Sequence, residues 1–227
     1  MHSHSNGQLE YVSKGTMRLI TPNAAWVVPQ QRIIWIPPGQ SHSVRCNRLS
    51  GSWKIMAPRS YSKFLPKTVS VLRTSKLLVA ALESVPENQK SISSQKLKLL
   101  IEVIKCELQA VDSEYFAVTL PRSAQLNPLV DTLLDHPEDP RSLDVWAKQV
   151  GMSRRTFTRH FMDETGSTFG QWRTALLLGK ALDLLSEGHS VSEISYRLGY
   201  SSPSAFVAAF RLRFGVPPGK FFNSNGE

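Results

Sequence analysis

The sequence predicts an α+β protein of two domains, in which a small β-barrel and a helical connector precede an all-α domain. Three observations predict this architecture. Short β-type runs separated by turn residues fill the first 65 residues. From residue 66 the hydrophobic periodicity changes from two to about 3.6. Two stretches near the C-terminus then repeat one helix-turn-helix pattern. We therefore expect a β-domain at 1–65, a helical connector at 66–120, and two helix-turn-helix units joined by a linker helix at 121–227.

The composition is that of an ordinary soluble protein, with 41% hydrophobic and 20% charged residues among 227. No apolar run approaches the roughly 18 to 20 residues of a membrane span, and no signal peptide precedes the β-type runs. We therefore expect a cytoplasmic protein with no membrane partner. Cys46 and Cys106 have no C-x-x-C partner, which predicts two free, mostly buried thiols rather than a zinc site or a disulfide.

The net charge of +9 is only a weak argument for a nucleic-acid partner, because it is unevenly distributed. Residues 122–227 hold 12 basic and 11 acidic residues, a net charge of +1, so the first 121 residues carry the remaining +8. DNA binding must therefore be argued from the positions of individual arginines.

The N-terminal β-domain is predicted from six short runs, LEYV, TMRLIT, AAWVVP, RIIWIP, HSVRC and WKIMA. Residues that favour turns separate them, among them Gly15, Pro37-Pro38-Gly39 and Gly51. This pattern predicts a small all-β barrel or sandwich.

Within these runs, about sixty residues resemble the two cupin motifs: His2-x-His4, Gln8 and Gly15, then Pro37-x-Gly39-x-x-His42. Metal-binding cupins present three histidines and a glutamate, ligands that suit a divalent first-row metal. Here Gln8 occupies the position of the acid, and a neutral amide is a poor metal ligand. The resemblance implies a cupin-like barrel whose first strand is displaced or missing, since the histidine pair already begins at residue 2.

Two interpretations of this part of the chain stay open, an effector pocket for a small molecule and a vestigial metal site. The candidate residues for either are His2, His4, Gln8, Trp35 and His42. We expect no cofactor.

The connector is predicted to contain two helices, at Val71–Val85 and Ser93–Val111. The second has a continuous apolar stripe formed by Leu97, Leu100, Ile101, Ile104, Leu108 and Val111. Either the β-domain of the same chain covers this stripe, or a second copy does so in a homodimer through the 93–111 helix. The sequence does not decide between them.

The C-terminal domain is predicted from a duplicated pattern. After a short helix at Leu126–Leu134, the first unit begins with the N-cap Ser142 and the second with the N-cap Ser190. The separation of Leu143 and Gly151 recurs at Val191 and Gly199, and Phe157, Phe161 and Gly166 recur as Phe206, Phe210 and Gly215. A helix at Gln171–Ser186 would join the units and place two recognition helices in major grooves about 34 Å apart.

These motifs resemble the signature of the AraC/XylS family of bacterial transcription regulators. The residues that carry the resemblance are Gly199-Tyr200-Ser201-Ser202-Pro203-Ser204-Ala205-Phe206, Phe210 and Phe214-Gly215-Val216-Pro217-Pro218 in the second unit, and Ser153-Arg154-Arg155-Thr156-Phe157, Arg159, Phe161, Glu164-Thr165-Gly166 and Trp172-Arg173 in the first. The cupin and the middle helices are similar to the family's sensing and dimerisation parts. Two positions depart from the pattern, since Leu178-Gly179 and Phe221-Phe222 lack arginines that the family commonly has there.

The resemblance implies a DNA-binding regulator, and the first recognition helix agrees with it. Arg155, Thr158, Arg159 and Met162 lie at i, i+3, i+4 and i+7, opposite Phe157. An arginine guanidinium can donate two hydrogen bonds to O6 and N7 of guanine, and threonine offers a hydroxyl and a methyl group to an A·T pair. We predict base contacts from Arg155, Thr158, Arg159 and Ser204. We predict phosphate contacts from Arg141, Lys148, Arg154, Arg173, Arg211 and Arg213. The alternative is a charged face that only meets solvent.

The second recognition helix offers less to bases, since Ser204 is its one base-edge donor beside Val207 and Ala208. The leading hypothesis is a transcription factor that binds double-stranded DNA mainly through its first unit, responds to a small effector, and contacts RNA polymerase if it is an activator. A cupin-type metal-dependent enzyme and a protein adaptor without DNA readout are the alternatives.

Overall fold

The structure, a computed structural model, describes residues 1–47, 52–60, 62–85, 92–109, 113–114 and 117–222. The chain divides into two compact units built from interleaved segments. The first unit takes Met1–Lys14, Gln30–Ser41 and Leu49–Tyr115, and the second takes Gly15–Pro29, His42–Arg48 and Phe116–Glu227. A strand-rich N-terminal part and a helical C-terminal part are present as predicted. The barrel and the limits at residues 65 and 120 stay predictions.

The first unit contains an antiparallel sheet in the order β6-β1-β4-β7-β8 and two helices. Its elements are β1 Gly7–Val12, β4 Arg32–Ile36, β6 Ser52–Ala57, β7 Ser70–Arg73, β8 Ser113–Glu114, α1 Lys76–Glu83 and α2 Ser94–Gln109. Because side chains alternate along a strand, Leu9 and Tyr11 face the same side as their cross-strand partners Trp35 and Ile33. These residues share one apolar cluster with Leu78, Leu82 and Leu108 of the helices.

Trp35 is a core residue of this unit. Its side chain is fully buried, and its indole Nε1 donates a hydrogen bond to the Pro66 carbonyl at 2.7 Å. The ring lies against the backbone of Gly7, where any Cβ would overlap it. This position therefore requires glycine.

The prediction of one helix over Val71–Val85 is wrong in its first part. Residues Ser70–Arg73 form β7, which pairs with β4, and the helix begins only after the N-cap Ser75, which accepts a hydrogen bond from the Leu78 N–H. The apolar pair Val71-Leu72 is too short to distinguish a helix from a buried strand.

The second connector helix spans Ser94–Gln109 and agrees with the prediction, although Val111 lies outside the described residues. Its stripe turns inward within the unit, with Leu108 buried and Leu97, Ile101 and Ile104 half-buried. Cys106 lies on the other side of the helix and is exposed, so the prediction of a buried thiol is wrong there. The side chain of Cys46 lies outside the described residues.

The second unit combines an antiparallel sheet in the order β5-β2-β3-β9 with helices from the C-terminal half. The strands are β2 Thr16–Ile20, β3 Ala24–Pro29, β5 Ser43–Asn47 and β9 Ala117–Thr119. The helices are α3 Asn127–Asp135, α4 Leu143–Gln149, α5 Arg154–Thr165, α6 Phe169–Ser186, α7 Val191–Arg197, α8 Pro203–Phe214 and α9 Pro218–Phe221.

Local signals in the sequence determine where the paired helices begin and end. The hydroxyls of Ser142, Ser153, Ser190 and Ser202 each accept a backbone N–H in the first turn of α4, α5, α7 and α8. At the ends of α5 and α8, the glycines that follow have φ values of 70° and 77°, a backbone conformation that other residues rarely adopt. The helix pairs α4–α5 and α7–α8 thus occupy the two stretches in which the sequence predicts helix-turn-helix units.

A buried carboxylate joins the sheet to the linker helix α6. Asp183 is 3% exposed, accepts a hydrogen bond from the Thr16 hydroxyl, and pairs with the Arg18 guanidinium at 2.9 Å. Four residues earlier on α6, a Cβ at Gly179 would lie 2.9 Å from Val27 Cγ2, so the helix approaches β3 closely there. Any larger residue at position 179 would therefore require Val27 to move.

We expect Asp183→Ala to lower the free energy of unfolding by about 3 kcal/mol, because it leaves the largely buried guanidinium of Arg18 without its carboxylate. Urea denaturation followed by tryptophan fluorescence measures this change. Asp131→Ala, at an exposed aspartate of α3, is the matched control and should change stability by less than about 0.5 kcal/mol. Equal small effects of both substitutions would show that the Asp183 pair does not stabilise the unit.

Candidate nucleic-acid interface

The outward face of α5 is defined by what lies on its inward face. Phe157 and Phe161 are fully buried, and the Phe161 ring packs edge-on against Trp172 with ring centroids 5.3 Å apart. The opposite side of the helix therefore faces outward, and Arg155 and Arg159 are exposed there. The aromatic packing fixes the rotation of α5 about its axis.

The row predicted to read bases is present and accessible. Arg155, Thr158 and Arg159 are exposed, and Met162 at the end of the row is 38% exposed. The Thr158 hydroxyl donates a hydrogen bond to the Arg154 carbonyl at 2.9 Å, which leaves its oxygen as an acceptor and its methyl group for apolar contact. Arg154 itself pairs with Asp144 of α4 at 2.7 Å. The structure thus places these side chains on one face, and their contacts with DNA stay predictions.

The corresponding face of α8 is mostly apolar. Ser204, Ala208 and Arg211 are exposed, and Val207 is half-buried. Leu212 is 91% exposed, which adds to the apolar character of this surface. The outward faces of α5 and α8 therefore differ in polarity, as the sequence predicts.

Arg213 was predicted to contact phosphate, but the structure gives it a partner within the protein. Its Nη2 donates a hydrogen bond to the Ala117 carbonyl of β9 at 3.0 Å. Lys148 and Arg211 are exposed. A phosphate contact from Arg213 would require this bond to be shared or replaced, and it stays a prediction.

Two further arginines with predicted phosphate contacts order the loop between α3 and α4. The Arg141 guanidinium forms a two-pronged pair with Asp139, at 2.7 and 2.9 Å, and lies 3.7 Å from the ring centroid of Trp146. Arg173 of α6 donates hydrogen bonds to the carbonyls of Pro137, Asp139 and Arg141. Burial lowers the pKa of Arg173, although Asp139 and Glu138 act in the opposite direction. Both arginines therefore position the loop before α4, and their phosphate contacts stay predictions.

The carboxyl of Asp139 is strongly affected by this arrangement. The hydrogen bond from the Arg141 side chain is the main cause that lowers its pKa from 3.8 to about 2. Sequence reasoning did not assign Asp139 a role. The short Asp139-Pro140-Arg141 segment just before a helix is the signal that could have indicated it.

Glu164 also holds a backbone segment in place, at the point where the chain enters the helical region. Its Oε2 accepts hydrogen bonds from the backbone N–H groups of Arg122 and Ser123 at 2.7 and 3.0 Å, and its Oε1 lies 3.1 Å from His160 Nε2. Burial alone would raise the pKa of this carboxyl, but the two backbone hydrogen bonds and His160 outweigh it and lower the pKa. Glu164 thus ties α5 to the segment that precedes α3.

The residues of the predicted effector or metal pocket are divided between the units. In the first unit, His2 is exposed and His4 half-buried, with ring centroids 4.8 Å apart. His42 belongs to the second unit and is buried. Neither interpretation of this set is tested by these positions, and both stay predictions.

Gln8 of β1 is buried, and its side-chain amide donates a hydrogen bond to Glu10 Oε2 at 2.7 Å. Burial raises the pKa of the Glu10 carboxyl despite that hydrogen bond. Glu10 lies two residues after Gln8 and therefore on the same face of the strand. Sequence reasoning missed this acid, which the alternation of β1 could have revealed.

Among the helices of the described ranges, none combines the length and apolar character needed to cross a membrane.

We expect the Asp139–Arg141 pair to make stability depend on pH. Since the pKa of Asp139 is lower in the folded state, the pair stabilises the domain above the ordinary value of 3.8, and this contribution disappears as the pH falls through about 2. Asp139→Asn should therefore be less stable than the wild type at pH 7, and the difference should shrink as the pH falls from 5 to about 2. Chemical denaturation across this range measures it. Asp163→Asn, at an exposed aspartate of α5, is the control, and a pH-independent difference for Asp139→Asn would contradict the assignment.

Comparison with known proteins agrees with this geometry. Residues 146–224 match the family model described as a helix-turn-helix domain. The chain is 29% identical to the HTH-type transcriptional regulator NimR of Escherichia coli (strain K12), over 97% of this chain and 81% of NimR. It is 34% identical to the HTH-type transcriptional activator RhaS of Escherichia coli (strain SMS-3-5 / SECEC), over 66% of this chain and 53% of RhaS, and thus spans about half of that relative.

Among solved structures, the chain is similar to the DNA-binding domain of the global transcriptional factor AdpA in complex with a target DNA. The identity is 33%, the match covers 45% of this chain and 93% of that domain, and the TM-score is 0.42. The two capped helix pairs, the helix-turn-helix match and the related regulators lead to one conclusion: residues 146–224 carry a helix-turn-helix domain, and the chain is similar to HTH-type transcriptional regulators.

Proposed function

We propose that this regulator binds double-stranded DNA sequence-specifically and reads the major groove mainly with α5. The observation that carries the proposal is the exposed row of Arg155, Thr158 and Arg159, which lies opposite the buried rings of Phe157 and Phe161. A recognition helix needs a fixed inner face and long polar side chains on its outer face. Of the two recognition helices, α5 meets both conditions.

The side chains of α5 suit direct readout of bases. Each guanidinium of Arg155 and Arg159 can donate two parallel hydrogen bonds to O6 and N7 of guanine. Thr158 between them has a free acceptor capacity and a methyl group, which suit the major-groove edge of an A·T pair. Lys148 and Arg154 lie near the start of α5 and are proposed to contact phosphates, with Arg154 exchanging Asp144 for the DNA backbone.

The second unit is proposed to anchor the DNA backbone. Ser204 is its base-edge donor, Val207 and Ala208 can contact thymine methyl groups, and Arg211 supplies a charge for phosphate. The linker helix α6 has 18 residues and a length of about 27 Å, so each chain would contact two successive major grooves.

The remaining parts of the hypothesis stay predictions. They are control by a small effector, a homodimer through the 93–111 helix, and contact with RNA polymerase. The related proteins are transcriptional regulators, and none of these comparisons favours the metal-dependent enzyme. A protein adaptor without DNA readout is distinguished by the experiments below.

We expect purified protein to enrich a defined sequence from random double-stranded DNA. Footprinting on the enriched sequence should show two protected segments about one helical turn, or 10 to 10.5 base pairs, apart. Base identities should be more restricted in the segment that α5 contacts. Failure to enrich any sequence at physiological salt would contradict the proposed function and favour the adaptor.

We expect Arg159→Ala to weaken binding to the enriched sequence by about 1 to 3 kcal/mol and to relax the preference at one base position. The physical reason is the loss of two hydrogen bonds to one guanine. Fluorescence anisotropy with the enriched sequence and with random DNA measures the two affinities. Arg197→Ala, at an arginine of α7 paired with Glu193, is the matched control and should change neither. Equal losses on both DNAs would assign Arg159 to phosphate instead.

We expect Arg211→Ala to behave differently, because a phosphate contact carries no sequence information. Binding to the enriched sequence and to random DNA should weaken by a similar factor, and the slope of log affinity against log salt should fall by about 1. Affinities measured between 50 and 200 mM salt test this. An unchanged salt slope with altered base preference would instead make Arg211 a base-reading residue.

A further inference from the structure

The first unit contains an apolar cavity that the proposed function does not use. Its volume is about 340 Å³, and its walls come from the strands β1 and β6, from the segment around Phe64, and from the helices α1 and α2. Leu9 and Ile55 line the cavity from the sheet, Leu82 lines it from α1, and Ile101 and Ile104 line it from α2. All of these residues belong to one compact unit.

The α2 wall is the apolar stripe seen in the sequence. Leu97, Ile101, Ile104 and Leu108 all line the cavity, so in this unit the stripe forms one wall of a partly open pocket. An apolar lining around a partly open pocket of this volume is typical of sites that hold a small molecule.

A single charge faces this apolar lining. Among the described residues of the lining, Lys105 is the one that is charged. Its ammonium is held by Glu102 at 2.9 Å and lies 4.8 Å from the ring centroid of Phe64. The side chain of Glu102 is 65% exposed, so its pair with Lys105 is a surface pair that contributes little and can be replaced.

We propose that this cavity binds a small amphiphile with one anionic head group, with its apolar part among the side chains of β1, β6 and α2 and its head group on Lys105. A volume of about 340 Å³ corresponds to about ten non-hydrogen atoms, if each takes the roughly 30 Å³ of a water molecule. A medium-chain monocarboxylate has this size and charge. As an effector site the cavity rests on the proposed regulatory function, but ligand binding itself requires no DNA.

The proposal is tested with octanoate, 1-octanol and octylammonium, titrated separately into the purified full chain by calorimetry without DNA. We expect one saturable site per chain with affinity in the order octanoate, octanol, octylammonium. Lys105→Met keeps the apolar stem and removes the charge, so it should weaken octanoate binding at least about tenfold and leave octanol binding unchanged. Lys98→Met, at an exposed lysine of α2, is the matched control and should change neither.

Filling the cavity is an independent test of the location. Ile101→Trp and Leu97→Trp each place a larger ring in the space and should abolish octanoate binding, while circular dichroism and the urea midpoint report whether each variant is folded. Absence of saturable binding, retained binding in both folded tryptophan variants, or equal affinities of the wild type and Lys105→Met would each overturn the proposal. So would a stable dimer, detected by sedimentation, that excludes octanoate from this face.

Affinity for the enriched DNA sequence is measured without octanoate. A failure of the proposed DNA function is therefore detected independently of octanoate binding. If both activities are present, adding octanoate should shift the DNA affinity of the wild type and leave that of the folded Ile101→Trp variant unchanged. A chain that binds octanoate and enriches no DNA would contradict only the proposed function.

Discussion

The carboxylate of Asp183 is the constraint on which the second unit depends. A carboxylate that is 3% exposed must be paired, since an isolated buried charge costs several kcal/mol. Its partners Thr16 and Arg18 lie on β2, 167 and 165 residues earlier in the chain. The helix α6 therefore cannot leave the sheet without leaving charges of opposite sign unpaired. Gly179 contributes a second contact, because the absence of a side chain lets the backbone of α6 approach Val27 closely. The sheet and the helices are consequently parts of one packed body.

This packing extends beyond α6 to α3 and α8. Arg18, which pairs with Asp183, also donates a hydrogen bond to the Leu134 carbonyl at the end of α3. Trp172 and Arg213 donate to the carbonyls of Thr119 and Ala117 in β9, so α6 and α8 are both bonded to the same strand. The positions of α3, α6 and α8 are therefore set by hydrogen bonds with the strands of this sheet. None of these contacts uses Arg155, Thr158 or Arg159, whose side chains stay exposed.

A structural feature could be predicted from the sequence when the residues that determine it are close together in the chain. The caps Ser142, Ser153, Ser190 and Ser202 act on N–H groups only three residues away, and for this reason the starts of four helices were predictable. The partners of arginines were not predictable in the same way. Arg173 and Arg213 look like exposed charges along a helix, yet their partners are carbonyls 32 to 36 and 96 residues away. Asp183 has no local signal at all, since an acid on a long helix is normally taken to face solvent. The strand β7 was missed because two apolar residues have no measurable period.

The apolar cavity of the first unit affects the stability of that unit. The pocket is partly open to solvent, so its apolar lining stays in contact with water unless an occupant covers it. An occupant that restores apolar contacts there stabilises the unit according to its concentration relative to its dissociation constant. It can alter function only by stabilising one conformation more than another. Since α2 forms a whole wall and carries Lys105, the position of α2 is the variable that such an occupant would bias.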